Sequence, residues 1–169
     1  MPMIRDARPE DAEAITEIYN DAVHNTTAIW NEIEVDAENR RAWIAERQGA
    51  GYPLLVWDEG GRAVGYASFG PFRPHDGYRL SVEHSVYVHR DHRSGGKGAQ
   101  MMEALIERAR ADGYHVMVGA IDAANAVSIR LHERLGFAHV GLMPQVGKKF
   151  GRWLDLALLT LLLDDRERP

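Results

Sequence analysis

Residues 85–99 read Ser-Val-Tyr-Val-His-Arg-Asp-His-Arg-Ser-Gly-Gly-Lys-Gly-Ala. A β-branched run gives way to a polar turn, and glycines at 95, 96 and 98 open directly into a helical pattern. Free backbone N–H groups at a helix N-terminus attract anions, and glycines let an anion come close to them. The expected ligand is a phosphate-bearing cofactor. Two common phosphate motifs fit poorly. A P-loop places a hydroxyl after its lysine to hold magnesium, whereas Lys97 is followed by Gly98. A dinucleotide fingerprint begun at Gly96-Lys97-Gly98 would need a glycine where Met101 stands.

A second group able to do chemistry lies just upstream. Leu80 to Val88 alternates, with Leu80, Val82, His84, Val86 and Val88 on one face and Ser81, Glu83, Ser85 and Tyr87 on the other. A carboxylate at the centre of such a strand is partly desolvated, which raises its pKa toward that of a useful base. The plainer reading of Glu83 is an ion pair with Arg73 or Arg79, or a solvated strand face. His132 falls in a helical pattern, where an imidazole either gives a proton near neutral pH or hydrogen-bonds for packing. Asn125 is at least a helix N-cap. His89-x-x-His92 sits on a polar turn and reads as solvated, and the histidines show no metal-ligand spacing, so no metal is expected.

The elements that must position these groups follow from periodicity. Ile4-Arg5-Asp6-Ala7 predicts a first strand. Pro9-Glu10-Asp11 starts a helix carrying Ala12, Ile15, Ile18, Tyr19 and Ala22 on one stripe. Asp36 caps a second helix over about residues 37–47. Residues 52–57 and 63–69 read as strands joined by the turn Glu59-Gly60-Gly61-Arg62. After the glycine loop, Met102, Leu105, Ile106 and Ala109 form a helical stripe stopped by Gly113. Residues 116–121 form a strand and 125–135 a helix closed by Gly136. Residues 137–142 and 153–163 form the last two strands, the final one apolar on both faces and so expected to be central and covered on both sides. The order β-α-α-β-β-β-α-β-α-β-β places the chain in the α/β or α+β class with a mixed sheet.

Composition narrows the function. The 169 residues make one ordinary domain, 45% hydrophobic and 27% charged. The net charge of −5 argues against a nucleic-acid partner. With no cysteine, thiolate nucleophiles, disulfides and thiolate zinc sites are excluded. The N-terminus has no apolar leader, and the apolar stretch 154–163 is too short to span a bilayer. A cytoplasmic protein that binds no membrane is expected.

Arg93-x-x-Gly96-x-Gly98 resembles the acetyl-CoA-binding motif of the GNAT N-acetyltransferases, R/Q-x-x-G-x-G/A. Asn125-x-x-Ser128-x-x-Leu131-His132-Glu133-x-Leu135-Gly136-Phe137 is similar to the family's second signature, and the element order is also that of the family. More narrowly, Thr16 to Asn20, Val82 to Val88, Ser128 to Glu133 and Gly147 to Asp155 resemble the phosphinothricin and methionine sulfoximine acetyltransferase branch.

The resemblance implies a single GNAT domain over residues 1–169, with a mixed, mostly antiparallel central sheet flanked by helices. It implies transfer of acetyl from acetyl-CoA to the α-amine of a small amino acid analogue (methionine sulfoximine, methionine sulfone or phosphinothricin), in a detoxifying role. Direct transfer needs a neutral amine, a polarised thioester carbonyl and a stabilised leaving thiolate. Glu83 is then the general base. His132, where many relatives carry tyrosine, is the group that would protonate the thiolate. Val86, Tyr87 and Val88 would offer backbone groups to the pantetheine arm and acetyl oxygen. Arg93, Ser94, Gly95, Gly96, Lys97, Gly98 and Ala99 would hold the pyrophosphate, with Asn125 and Ser128 contacting the arm. Arg73 and Arg79 would bind the substrate carboxylate. Trp30, Phe72 and His84 complete the expected substrate site, Gly147 to Trp153 forms a hairpin loop near it, and a homodimer is expected. A protein N-terminus, lysine or polyamine as acceptor, or a non-catalytic acyl-CoA module, are the rival readings.

Overall fold

Local signals place most of the elements. In the computed structural model, which describes residues 3–169, the strands are β1 (Met3–Asp6), β2 (Leu54–Glu59), β3 (Arg62–Pro71), β4 (Ser81–Val88), β5 (Val116–Asp122), β6 (Ala138–Lys149) and β7 (Arg152–Leu162). The helices are α1 (Ala12–Asn25), α2 (Ala37–Gly49), α3 (Lys97–Ala111) and α4 (Ala126–Arg134). The strand order is β1-β2-β3-β4-β5-β7-β6, mostly antiparallel, with β4 and β5 parallel. Among the described residues no helix is long and apolar enough to cross a membrane.

The chain divides into two compact units, Met1–Phe69 with Ser85–Leu105, and Gly70–His84 with Ile106–Pro169. In the first, the Asp36 carboxylate accepts the Asn39 N–H at 2.8 Å, capping α2 as its sequence predicts. Ile15 and Ile18 of α1, Ile44 of α2, Leu54 and Val56 of β2 and Tyr66 of β3 share one apolar core. Gly60 and Gly61, at φ +63° and +87°, make the tight turn joining β2 to β3. Arg5 of β1 reaches Asp11 with two nitrogens at 2.8 and 2.9 Å and Asp58 at 2.8 Å, so one guanidinium ties the start of the chain to the first turn and to β2.

In the second unit β7 runs between β5 and β6, antiparallel to both. The expectation that β7 is covered on both faces is only half met. Leu154, Ala157, Leu159 and Leu161 are buried, while the alternate residues Asp155, Leu156, Leu158 and Thr160 stay half-exposed. β6 is also longer than expected. Gly147, Lys148 and Lys149 pair with Leu154, Trp153 and Arg152, so the expected loop at 147–153 shrinks to a turn at Phe150-Gly151. Antiparallel pairing continues wherever register allows, and the strong turn signal at Gly151, at φ +72°, marks only its end. Val140, Leu142, Met143, Val146, Phe150 and Trp153 of this hairpin are exposed.

Candidate active site

The first group of site residues is the loop opening α3. Gly95 and Gly96 lie at φ +80° and +71°, a region that side-chain-bearing residues avoid. Lys97 Nζ donates to the Ser94 carbonyl at 2.9 Å and Gln100 Nε2 to the Gly95 carbonyl at 3.3 Å. Because C=O and N–H point opposite ways across a peptide plane, tying these carbonyls back turns the following amides outward. The helix's first backbone bond runs from Gln100 N–H to the Gly96 carbonyl, so the amides just before it have no helical acceptor. A Cβ added at Gly98 would meet nothing within 4 Å. These features suit a pyrophosphate. Gln100 has no signal of its own in the sequence.

The cations around this loop are already engaged. Lys97 Nζ lies 3.3 Å from Glu59, which also bonds His92 at 3.1 Å. Arg93 Nε donates to the Val88 carbonyl at 3.3 Å, and its Nη2 lies 3.8 Å from Asp21. His89 bonds Glu17 at 3.0 Å. His89 and His92 are therefore paired with acids rather than simply solvated, because the β2–β3 turn and α1 bring carboxylates to them. Tyr87 packs on Tyr66 with ring centroids 5.2 Å apart, so its side chain belongs to packing. Trp30 is half-buried and donates from Nε1 to the Thr27 carbonyl at 2.9 Å, bracing its own loop.

The second group lies on β4, β5 and α4. Glu83 is half-buried, and no hydrogen bond or ion pair ties its carboxylate among the described residues. The ion pair with Arg73 or Arg79 offered by the plainer reading is absent. Burial raises the Glu83 pKa, and the field of Arg73 only partly offsets it. Arg73 stacks over Phe72 with its guanidinium carbon 4.4 Å from the ring centroid, and it stays exposed. Phe72 packs edge-on against Tyr78 at 5.7 Å. Arg79 turns back to the Asp76 carbonyl at 3.0 Å.

The histidines behave differently from expectation. Asn125 caps α4 by accepting the Ser128 N–H at 3.1 Å, and the Ser128 carbonyl accepts from His132 Nδ1 at 2.7 Å. A carbonyl only accepts, so Nδ1 carries the proton, and the neutral His132 ring then has a bare Nε2. That nitrogen lies 2.9 Å from His84 Nε2, which must be the donor. His84 Nδ1 is left bare, buried and without a hydrogen-bond partner. Burial lowers the pKa of both rings, that of His84 to about 3 with His132 adding to the shift. His132 thus holds neither a spare proton nor a free nitrogen for a thiolate. His84 Nε2 is spent on His132, and burial closes its bare Nδ1 off from a substrate. Among the described residues no group of three or more His, Asp or Glu could hold a metal ion.

Gly119 belongs to none of the sequence motifs. A Cβ there would lie 3.1 Å from His132 Cδ2 and Nε2 and 3.2 Å from His84 Nε2, so any side chain would press on both rings. A glycine inside a strand is the available signal for such a close approach.

Comparison with known proteins sets this geometry in a family. Residues 4–158 match the model described as an acetyltransferase (GNAT) domain. The chain belongs to that family and is an N-acetyltransferase. An L-methionine sulfoximine/L-methionine sulfone acetyltransferase of Pseudomonas aeruginosa is 60% identical over 162 residues, covering 95% of this chain and 94% of its own. A phosphinothricin N-acetyltransferase of Alcaligenes faecalis is 36% identical over 157 residues, covering 92% and 80%. The structure of yncA, an acetyltransferase of Salmonella typhimurium with its cofactor acetyl-CoA, has a TM-score of 0.96 at 54% identity, covering 99% of this chain and 97% of that one.

Proposed function

We propose that the protein transfers acetyl from acetyl-CoA to the α-amine of a small amino acid analogue of the methionine sulfoximine, methionine sulfone or phosphinothricin type, a detoxifying reaction carried out in the cytoplasm. The observation that carries this reading is Glu83, a half-buried, unpaired carboxylate whose pKa is raised by burial. Such a group takes a proton from an ammonium that must become a neutral nucleophile. Acetyl-CoA supplies an activated acyl thioester. The amides of residues 95–99, which precede the first helical bond, would hold its pyrophosphate, and Arg93 and Lys97 would add charge once released from Asp21 and Glu59. The backbone of Val86 to Val88 would face the arm, with a Val86 or Tyr87 N–H on the acetyl oxygen. Asn125 and Ser128 are assigned to the arm by the family resemblance alone.

Arg73 is the exposed guanidinium closest in effect to Glu83, and it would clamp the acceptor's carboxylate. Arg79, Phe72 and Trp30 would shape the rest of that site. The balance is one N–C bond made and one C–S bond broken, with one ammonium proton passing to Glu83 and a second to the departing sulfur. His132 is left out of the proton path because both of its nitrogens are engaged. The exposed apolar residues of the β6–β7 hairpin support a homodimer, which sedimentation would test.

The deciding experiment follows thiol release with acetyl-CoA and a panel of amines. Methionine sulfone, methionine sulfoximine and phosphinothricin should react well ahead of spermidine and lysyl peptides. Glu83→Gln should lower kcat by about 10²–10⁴-fold while acetyl-CoA binding is kept. Preference for a peptide or polyamine, or an unchanged pH–rate profile in Glu83→Gln, would overturn the reading.

A further inference from the structure

Parallel pairing of β4 with β5 is short. It joins Ser81 to Val116, Val82 to Met117 and Glu83 to Val118, and it ends there, although β4 runs on to Val88 and β5 to Asp122. The next residues on the two strands are His84 and Gly119. At that point lies the imidazole pair, stacked with centroids 5.0 Å apart and an interplanar angle of 27°. Phe137 closes edge-on against both rings, at 5.7 Å from His84 and 5.0 Å from His132.

Three elements meet in this cluster. β4 contributes His84, α4 contributes His132, and β5 contributes the glycine whose missing Cβ gives both rings their room. The single bridging proton has a defined owner. Ser128 fixes the His132 proton on Nδ1, so it is His84 that donates across the 2.9 Å contact. The cost of the arrangement is a buried, unpartnered Nδ1 on His84. A chain that merely needed filling at this point would be better served by apolar side chains, which leave no orphan acceptor.

We propose that His84 is a positioning residue: bonded to His132 and seated with it over Gly119, it pins α4 to β4 where β5 stops pairing, and so keeps the continuing edge of β4 available to the acyl arm of acetyl-CoA. The pair stays neutral and gives no proton to the reaction. This rests on the acetyl-transfer reading above, which deprotonates the amine elsewhere, at Glu83.

The test separates positioning from proton transfer. His84→Leu removes the donor at similar size, Gly119→Ala pushes on both rings, and His84→Gln places an amide N–H where Nε2–H now donates. His84→Leu and Gly119→Ala are expected to raise the KM for acetyl-CoA, and the Kd for CoA by calorimetry, about tenfold. The extrapolated kcat should change less than about threefold, with the shape of its pH profile kept. His84→Gln should recover most of the CoA affinity.

In the unmodified protein, ¹⁵N NMR of the imidazoles should show His132 as the Nδ1–H tautomer and His84 as Nε2–H, both neutral at pH 7. A charged or Nε2-protonated His132 at pH 7 would overturn the proposal. So would a collapse of kcat in His84→Leu with loss of one limb of its pH profile, or folded variants that bind CoA as before. If no amine is acetylated, the acetyl-transfer reading fails on its own, while the NMR and CoA-binding measurements still judge the pair. If the leucine and alanine variants do not fold, the tautomers of the unmodified protein and of His84→Gln decide.

Discussion

The loop at residues 93–99 and the imidazole pair of β4 and α4 handle charge in opposite ways. The loop is exposed, its glycines take left-handed backbone angles, and its cations rest on Glu59 and Asp21. Both pairs lie at the rim of the loop, where Arg93 is exposed while Lys97 and Asp21 are largely covered. The imidazole pair holds its rings neutral by burial, each bonded through Nε2 to the other. One region keeps its charges in ion pairs, and the other keeps its rings neutral. Sequence motifs of similar polarity therefore have opposite physical purposes. A histidine is no proton donor if the fold has already engaged both its nitrogens.

The sharpest way to break this contrast is to disable one region and look for a response in the other. Gly96→Val forces a β-branched residue to φ +71° and crowds the outward amides. CoA affinity should fall about a hundredfold, on the scale of several lost charge-assisted bonds. The imidazole tautomers read by NMR should not move.

The next effect belongs to the imidazole pair. The folded His84 takes a proton only near pH 3, whereas an unfolded histidine takes one near 6.5. The unfolded chain therefore binds more protons between those values, and stability falls as pH drops through that window. At pH 5 the loss should be about 2 kcal/mol, by urea titration against pH 7. His84→Gln should flatten this dependence.

A smaller effect tests the seat of His132. Asn125→Ala removes the cap of α4 and should cost about 1 kcal/mol of stability, with CoA affinity reduced at most severalfold. Smallest of all, Glu59→Gln frees Lys97 and should tighten CoA binding about threefold at low salt, a gain that disappears near 0.5 M salt. A gain that survives high salt would mean that Glu59 acts through packing rather than charge.

Residue type and spacing carry much of this molecule. Asp36 and Asn125 cap the helices their types predict, Gly60-Gly61 turns, and Gly113 and Gly136 stop helices at positive φ. These are local effects, decided within a few residues by sterics and one hydrogen bond. The glycine loop and the mid-strand position of Glu83 belong to the same class. The length of β6 is not legible in this way, because antiparallel pairing with β7 overrides weak local signals across residues 143–149. Nor is the engagement of His89 and His92, because Glu17 and Glu59 lie far away along the chain.

Most of the element order, the glycine turn, the carboxylate at the centre of β4 and the family membership are written in residue type and spacing. Periodicity and backbone sterics act at short range and leave their marks in residue type and spacing. Only the tertiary structure decided what each polar group has left to give. His132 looks the same in sequence whether its Nε2 faces a ligand or His84, and Gly119 shows its purpose only when two rings from elsewhere in the chain settle over it. Hydrogen-bond partners and desolvation are set by neighbours distant in sequence, and one of those, His84, engages the Nε2 of His132.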